Sequence, residues 1–369
     1  MATRGRKASA KTESSQVGLL DALRFVTCAT RPDGLPYQAH AVLHSGNVYA
    51  FDGGVVACHA IDSDLKAAPH LANLITALSK SNGTISITVT DGGKLSIKSG
   101  KLRALVNCLD LSEVPTYPEP DPICANITDD LKNAIKTVAE CCNDSDADVT
   151  RAGVFIKSNS VMAMDGRMLM ECWHGIDLPE LLIPKASALA ICKPDKPFKN
   201  LGFSHNGMTI YYEDGSYIRT CLFDAQYPNT EKLFDREFNP WPLPSGFWDG
   251  LDSIVPFVDK DLQGVYFTKQ SMQTHLDGKS GASYDIEGLP EFKAYNPKYL
   301  KLAKPHCDKV DFGKDERANL IFFGKNVRGI IAPIFVKKTE VNDQYIQRTS
   351  EKNYSDPESP DYMEDDIPF

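Results

Sequence analysis

VMAMDGRMLMECWHGID, residues 161–177, is two strand-like runs joined at Asp165-Gly166. Asp-Gly favours a tight hairpin turn, because glycine takes positive φ at little steric cost. The arrangement occurs twice more, as VYAFDGGVVACHAID at 48–62 and MQTHLDGKSGASYDIEG at 272–288. The three aspartates are Asp52, Asp165 and Asp277, separated by 113 and 112 residues. Self-similarity at a fixed period is the signature of a repeated structural unit.

Further landmarks keep the period. A proline opens an amphipathic segment after each hairpin: PHLANLITALSK from Pro69, PKASALAICK from Pro184 and PKYLKLAK from Pro297. Proline suits a first helical position, where its missing N–H is not needed. Leu71, Leu74, Ile75 and Leu78 share one helical face. Each copy closes on a strand-like run around Arg103, Arg219 or Arg328. Each opens on a helix: LLDALRFVTC, DDLKNAIKTVAECC and FWDGLDSIVPFV. Every unit therefore reads helix, hairpin, helix, strands, which is an α+β pattern with two helices on small antiparallel sheets. The copies span 17–115, 125–230 and 243–338, joined by the proline-rich stretches VPTYPEPDP and FNPWPLPSG.

The net charge of −9 is uneven: residues 1–16 carry +3 and residues 339–369 carry −7. Both ends are expected to be disordered, the first as a basic arm and the second as an acidic tail. No apolar run reaches a membrane-spanning length and the N-terminus has no secretory pattern, so a cytoplasmic protein is expected. The ten cysteines form no CxxC pair, which favours reduced thiols over zinc, and no metal or cofactor is expected. No catalytic constellation stands up. Ser204-His205 lacks a nucleophile elbow, and DGGKLSIKSGK lacks phosphate-loop spacing. A non-enzyme is expected.

The threefold repeat resembles the bacterial DNA sliding clamp, the β subunit of the replicative polymerase. MAMDGRMLM, FDAQYPN and NVRGIIAPI resemble local stretches of that family, and the likeness covers roughly residues 17–338. The looseness of the match fits a divergent viral member. The resemblance implies three clamp domains per chain and a homodimeric ring around duplex DNA, with DNA polymerase and a clamp loader as partners and no membrane. Such a ring holds DNA through non-specific phosphate contacts. The implied lumen residues are Arg24, Lys80, Lys132, Lys136, Lys185, Lys193, Lys298, Lys301 and Lys304. Asp249 and Asp252 make the fifth helix poor in positive charge. The resemblance also implies a partner-peptide cleft walled by Met164, Gly166, Arg167, Leu169, Ile330, Ala332 and Pro333, with Pro242 to Pro244 as a further edge. The ring seam is expected at Ala104 and Val106, with Ile254 or Val258 opposite.

The segment EDDIPF resembles the acidic tip of bacterial single-stranded DNA-binding proteins. It implies recruitment, through Asp365, Asp366, Ile367, Pro368 and Phe369, of host proteins that read such tips. Two alternatives stay open. One is a single-stranded DNA-binding protein using Tyr211, Tyr212 and Tyr217 as stacking platforms. The other is a clamp-shaped decoy that sequesters replication proteins.

Overall fold

A computed structural model describes residues 16–235, 237–258, 264–275, 281–314, 318–334, 336–338 and 346–348. Copy one holds α1 (Gln16–Val26), β1 (Val42–His44), β2 (Asn47–Phe51), β3 (Val55–Ala60), β4 (Ala68–Pro69), α2 (Leu71–Ser79), β5 (Ile85–Val89), β6 (Leu95–Ser99), β7 (Leu102–Val106) and β8 (Cys108–Leu109). Copy two holds β9 (Ile123–Asn126), α3 (Asp129–Ala139), β10 (Gly153–Ile156), β11 (Ser160–Met164), β12 (Met168–Trp173), β13 (Leu181–Pro184), α4 (Lys185–Cys192), β14 (Phe198–Ser204), β15 (Gly207–Tyr212) and β16 (Tyr217–Cys221). Copy three holds α5 (Phe247–Ile254), β17 (Val265–Phe267), β18 (Ser271–Gln273), β19 (Ser283–Asp285), β20 (Lys293–Tyr295), α6 (Pro297–Ala303), β21 (Lys309–Asp311), β22 (Leu320–Phe323) and β23 (Val327–Ile331). At the end of copy three, β24 (Val336–Lys338) pairs with β25 (Ile346–Arg348), and β25 lies inside the stretch expected to carry no element.

The first two hairpins form where the sequence places them. Asp52 Oδ1 accepts the N–H groups of Gly54 and Val55, and Asp165 Oδ1 accepts those of Arg167 and Met168. Gly53 and Gly166 take φ of 102° and 87°, the left-handed backbone these turns need. Asp277 of the third hairpin lies outside the described residues. Proline opens a helix only once. Pro297 begins α6 under an Asn296 cap, whereas Pro69 and Pro184 end strands β4 and β13.

The chain divides into two compact units, the first holding residues up to 132 and 186–223, the second holding 133–185 and those from 224 on. Copy two is thus split between them. Unit one contains an antiparallel sheet of order β1-β2-β3-β16-β15-β14-β9, which joins copies one and two through the β3–β16 pair. It also holds the three-stranded sheet β5-β6-β7 and the short pair β4-β8. Unit two contains a sheet of order β13-β10-β11-β12-β23-β22-β21, which joins copies two and three through β12–β23. Its other large sheet is β19-β18-β17-β20.

The first proline-rich join and the segment 227–238 that leads into the second act as straps across the sheets. In unit two, Phe155, Met162, Glu171, Arg328 and Phe323 occupy one cross-strand row. The strap follows that row: Tyr227 stacks on Phe155 at 4.5 Å, Thr230 hydrogen-bonds Met162 Sδ, Phe234 lies under the Arg328 guanidinium, and Phe238 meets Phe323. This explains why β11 is buried at every position although its sequence only half alternates. In unit one, Tyr117 packs on Tyr49 and Phe51, and Asp121 reaches Arg219 and Thr209. Gly202 is required beneath this strap, because a Cβ there would sit 2.4 Å from the Asp121 carbonyl oxygen.

Candidate nucleic-acid interface and partner surfaces

The nine cations expected to face DNA separate into free and committed groups. Arg24, Lys80, Lys136, Lys193, Lys298 and Lys301 are exposed. Lys132 is a correction. It is only 6% exposed, and its Nζ donates to the carbonyls of Pro194 at 2.7 Å and Lys196 at 2.9 Å. Its Nζ also lies over the Phe198 ring, 5.6 Å from the centroid. Lys132 therefore holds the α4–β14 loop and offers no charge to a ligand. Lys185 is also largely committed, donating to the Cys142 carbonyl and Asp144, both at 2.8 Å. Lys304 pairs with Asp252 at 2.6 Å, so the acidic fifth helix cancels a cation just past the end of the sixth. Lys298 lies 3.7 Å from Asp165.

The cleft residues do come together at one end of the unit-two sheet. Leu169 pairs with Ile330 across β12–β23, and Ala332 N–H donates to the Arg167 carbonyl at 2.8 Å. Their exposure differs from the expectation. Met164, Leu169 and Ile330 are fully buried, and Ala332 and Pro333 are buried too. Only Arg167 is exposed, with Gly166 half-buried. The first three are sheet core and cannot receive a peptide in this conformation. Near Pro242 to Pro244 a separate cavity of about 310 Å³ is lined by Trp248, Asp249, Cys307 and Asp308.

The residues expected at a ring seam are less exposed than their immediate neighbours. On β7, Ala104 is half-buried and Val106 is buried, pointing with Ile97 and Leu95 to the inner face. Leu105 points the other way and is 67% exposed. Ile254 is 2% exposed inside α5 and Val258 is half-buried, whereas Phe257 between them is 57% exposed. Asp365 to Phe369 lie outside the described residues. Tyr212 is not a stacking platform: it is 1% exposed and its hydroxyl donates to the Ile191 carbonyl at 2.6 Å.

Sequence reasoning missed one charged cluster in unit one. A cavity of about 660 Å³ is lined by α1, β3, the α4–β14 loop and the β15–β16 turn. Lys196 is its centre. The Nζ group is bonded to Asp214 Oδ2, lies 2.8 Å from His59 Nε2, and sits 4.7 Å over the Phe25 ring. His59 Nε2 is also 3.2 Å from Asp214 Oδ2, and its Nδ1 contacts the Ala60 carbonyl at 2.7 Å. Burial raises the Asp214 carboxyl, but hydrogen bonds from Lys196 and Ser216 outweigh it and hold the group well below the usual carboxylate range. The signal available was the run CKPDKPFK at 192–199, three lysines within eight residues just past a helix. Among the described residues no group of three or more His, Cys, Asp or Glu could hold a metal ion.

No protein-family model matches the sequence and no curated relative matches it. Solved structures do match. The DNA polymerase III subunit beta of Pseudomonas aeruginosa aligns with a TM-score of 0.74 at 15% identity, over 89% of this chain and 100% of that one. The chain has the sliding-clamp fold. The DNA polymerase sliding clamp of Bacillus subtilis gives 0.75 at 16% identity, over 89% and 99%. The beta subunit of the Streptococcus pyogenes DNA polymerase gives 0.76 at 14%, over 88% and 100%. No described helix is long and apolar enough to cross a membrane.

Proposed function

We propose that this chain is a DNA polymerase processivity factor, a sliding clamp. Two copies close head to tail into a ring around duplex DNA and tether a polymerase, with a loader to open the ring. Each copy of the repeat, 17–115, 125–230 and 243–338, serves as one domain of that ring.

The strand-pairing rule inside the chain carries the reading. The strand of copy two that carries the closing Arg219 pairs with the strand after the Asp-Gly turn of copy one, β16 on β3. The strand of copy three that carries the closing Arg328 pairs with the strand after the Asp-Gly turn of copy two, β23 on β12. The same rule assigns β7, which carries the closing Arg103 of copy one, to β19, the strand after the Asp-Gly of copy three. Both are edge strands with one side unpaired among the described residues. Unpaired edges invite a partner strand. A β7–β19 contact between two copies satisfies both edges twice in a closed pair. Exposed Leu105 and Arg103 on β7 and Asp285 on β19 supply apolar and charged contacts there.

The exposed Arg24, Lys80, Lys136, Lys193, Lys298 and Lys301 supply the phosphate contacts in this reading. Arg167 marks the rim of the partner cleft, which opens only if the strap or α6 shifts to uncover Leu169 and Ile330. Asp365 to Phe369 recruit proteins that bind acidic, apolar-tipped peptides, and removing those five residues should abolish their capture while leaving assembly intact.

Light scattering over a dilution series tests the ring. A solution mass twice the chain mass of 40.7 kDa, together with retention on circular DNA that is lost on linearisation, is the expected result. A monomer at every concentration that binds circular and linear DNA alike would refute it.

A further inference from the structure

We infer that unit one carries a proton-linked phosphate site, in which His59 controls whether Lys196 is available to a phosphodiester. The inference rests on the duplex-binding reading and adds a specific pocket and a switch to it.

The pocket is concave, and its cations arrive from separate elements: Arg24 from α1, and Lys193 and Lys196 from the loop that Lys132 anchors. Lys193 is exposed, and its side chain makes no hydrogen bond or ion pair among the described residues. Lys196 has already lost its side-chain freedom to Asp214, His59 and the Phe25 ring, so ordering it on a ligand costs little. Asp21, Asp195 and Asp214 also line the pocket. Three acids and three permanent cations leave it without net charge while His59 is neutral. Cys28, the remaining ionisable neighbour on α1, stays a neutral thiol because burial pushes it up to about 12.

The switch follows from two distances. Nδ1 of His59 is 2.7 Å from the Ala60 carbonyl and is the donor there, so in the neutral ring Nε2 must be the acceptor, and Lys196 Nζ donates to it from 2.8 Å. When a solvent proton binds Nε2, that acceptor is gone and two cations face each other. The new Nε2–H has an acceptor waiting, because Asp214 Oδ2 is 3.2 Å away. Asp214 transfers part of its pairing from Lys196 to His59. The Lys196 ammonium is released toward the cavity, which now carries a net charge of +1. A bound phosphate gains one charge-assisted contact in acid, and by linkage its binding favours protonated His59.

The test uses the full chain and a short linear duplex, followed by fluorescence anisotropy over a salt series. Between about pH 8 and about pH 5.5, where imidazoles become protonated, affinity should rise about tenfold, the worth of one charged hydrogen bond. The salt slope should steepen by about 0.9, one further phosphate contact. His59→Gln keeps an acceptor for Lys196 but cannot switch, and it should bind as the wild type does at the higher pH and lose both changes. Lys193→Ala, on an exposed residue, should weaken binding at both pH values and keep the pH dependence. If His59→Gln retains the full pH dependence, the inference is overturned. A chain that binds no duplex at either pH refutes the clamp reading instead, and the pocket is then judged by NMR titration of His59 with inorganic pyrophosphate. A protonation midpoint that rises with pyrophosphate supports the site; an unmoved midpoint overturns it.

Discussion

Replacing Glu171 tests whether the seam between copies two and three is held by a buried charge cluster. Glu171 is 1% exposed on β12, directly opposite Arg328 on β23. Its carboxylate accepts Arg328 Nε at 2.8 Å, contacts Nη2 at 2.7 Å, accepts Ser160 Oγ at 2.6 Å and lies 3.1 Å from Lys157 Nζ. Glu171→Ala leaves the guanidinium wedged between Phe234 and Trp173 without its counter-ion. Breaking a buried pair this way costs roughly 3–5 kcal/mol, because the surviving charge stays desolvated. Arg328 is 25% exposed and can recover some hydration, which places the expected loss near 3 kcal/mol. Substituting both partners with leucine should recover a third or more of that loss, about 1 kcal/mol or above, since no orphan charge remains.

Urea unfolding followed by tryptophan fluorescence suits the assay. Trp173, Trp241 and Trp248 all lie in the second unit, so the signal reports its transition. A pH series adds a signature specific to the carboxylate. Burial raises the Glu171 carboxyl, but Ser160, Arg328 and Lys157 outweigh it and hold it below its ordinary value. A depressed carboxyl contributes stability above its unfolded value, near about 4.3, and loses it as pH falls through the folded value. Wild type should therefore lose stability more steeply than Glu171→Gln below about pH 4.3. A loss under about 1 kcal/mol for Glu171→Ala, or a double leucine variant no better than the single alanine, would refute the reasoning.

Three further outcomes are expected. Lys132→Met should destabilise the first unit by about 2 kcal/mol in urea unfolding, because two loop carbonyls lose their donor. Leu105→Asp should weaken the proposed β7–β19 dimer in light scattering without moving the unfolding midpoint of the single chain, since the side chain is 67% exposed. Gly202→Ala should cost about 1–3 kcal/mol in urea unfolding, because the added Cβ meets the Asp121 carbonyl oxygen at 2.4 Å and must push the strap off the sheet.

What was legible in the sequence is what local chemistry decides. Asp-Gly with flanking apolar runs makes the same turn wherever it occurs, and Asp52 and Asp165 cap theirs with the same pair of N–H groups. Period and turn together mark three repeated α+β units, and it is the resemblance to the sliding-clamp family that implied their fold. The joins were read as linkers because proline-rich stretches usually are. Nothing in FDAQYPNTEKLF, which closes copy two and runs toward the second join, says that Tyr227, Thr230 and Phe234 will meet side chains drawn from three strands.

The lysines show the same limit more sharply. Lys132 and Lys136 stand one turn apart on α3 and share a face of the helix, so any periodicity argument gives them one role. Only the arrival of the 194–196 loop distinguishes them, by placing two carbonyls within 2.9 Å of Lys132. One lysine becomes an internal anchor, and its neighbour remains exposed. The anchored loop in turn presents Lys193 and Lys196, which neither helix periodicity nor composition singled out together. The charge that meets a ligand in this unit is therefore set by which cations the fold consumes internally. Counting basic residues on a helical wheel overstates it, because the fold has first claim on every donor that reaches a buried carbonyl.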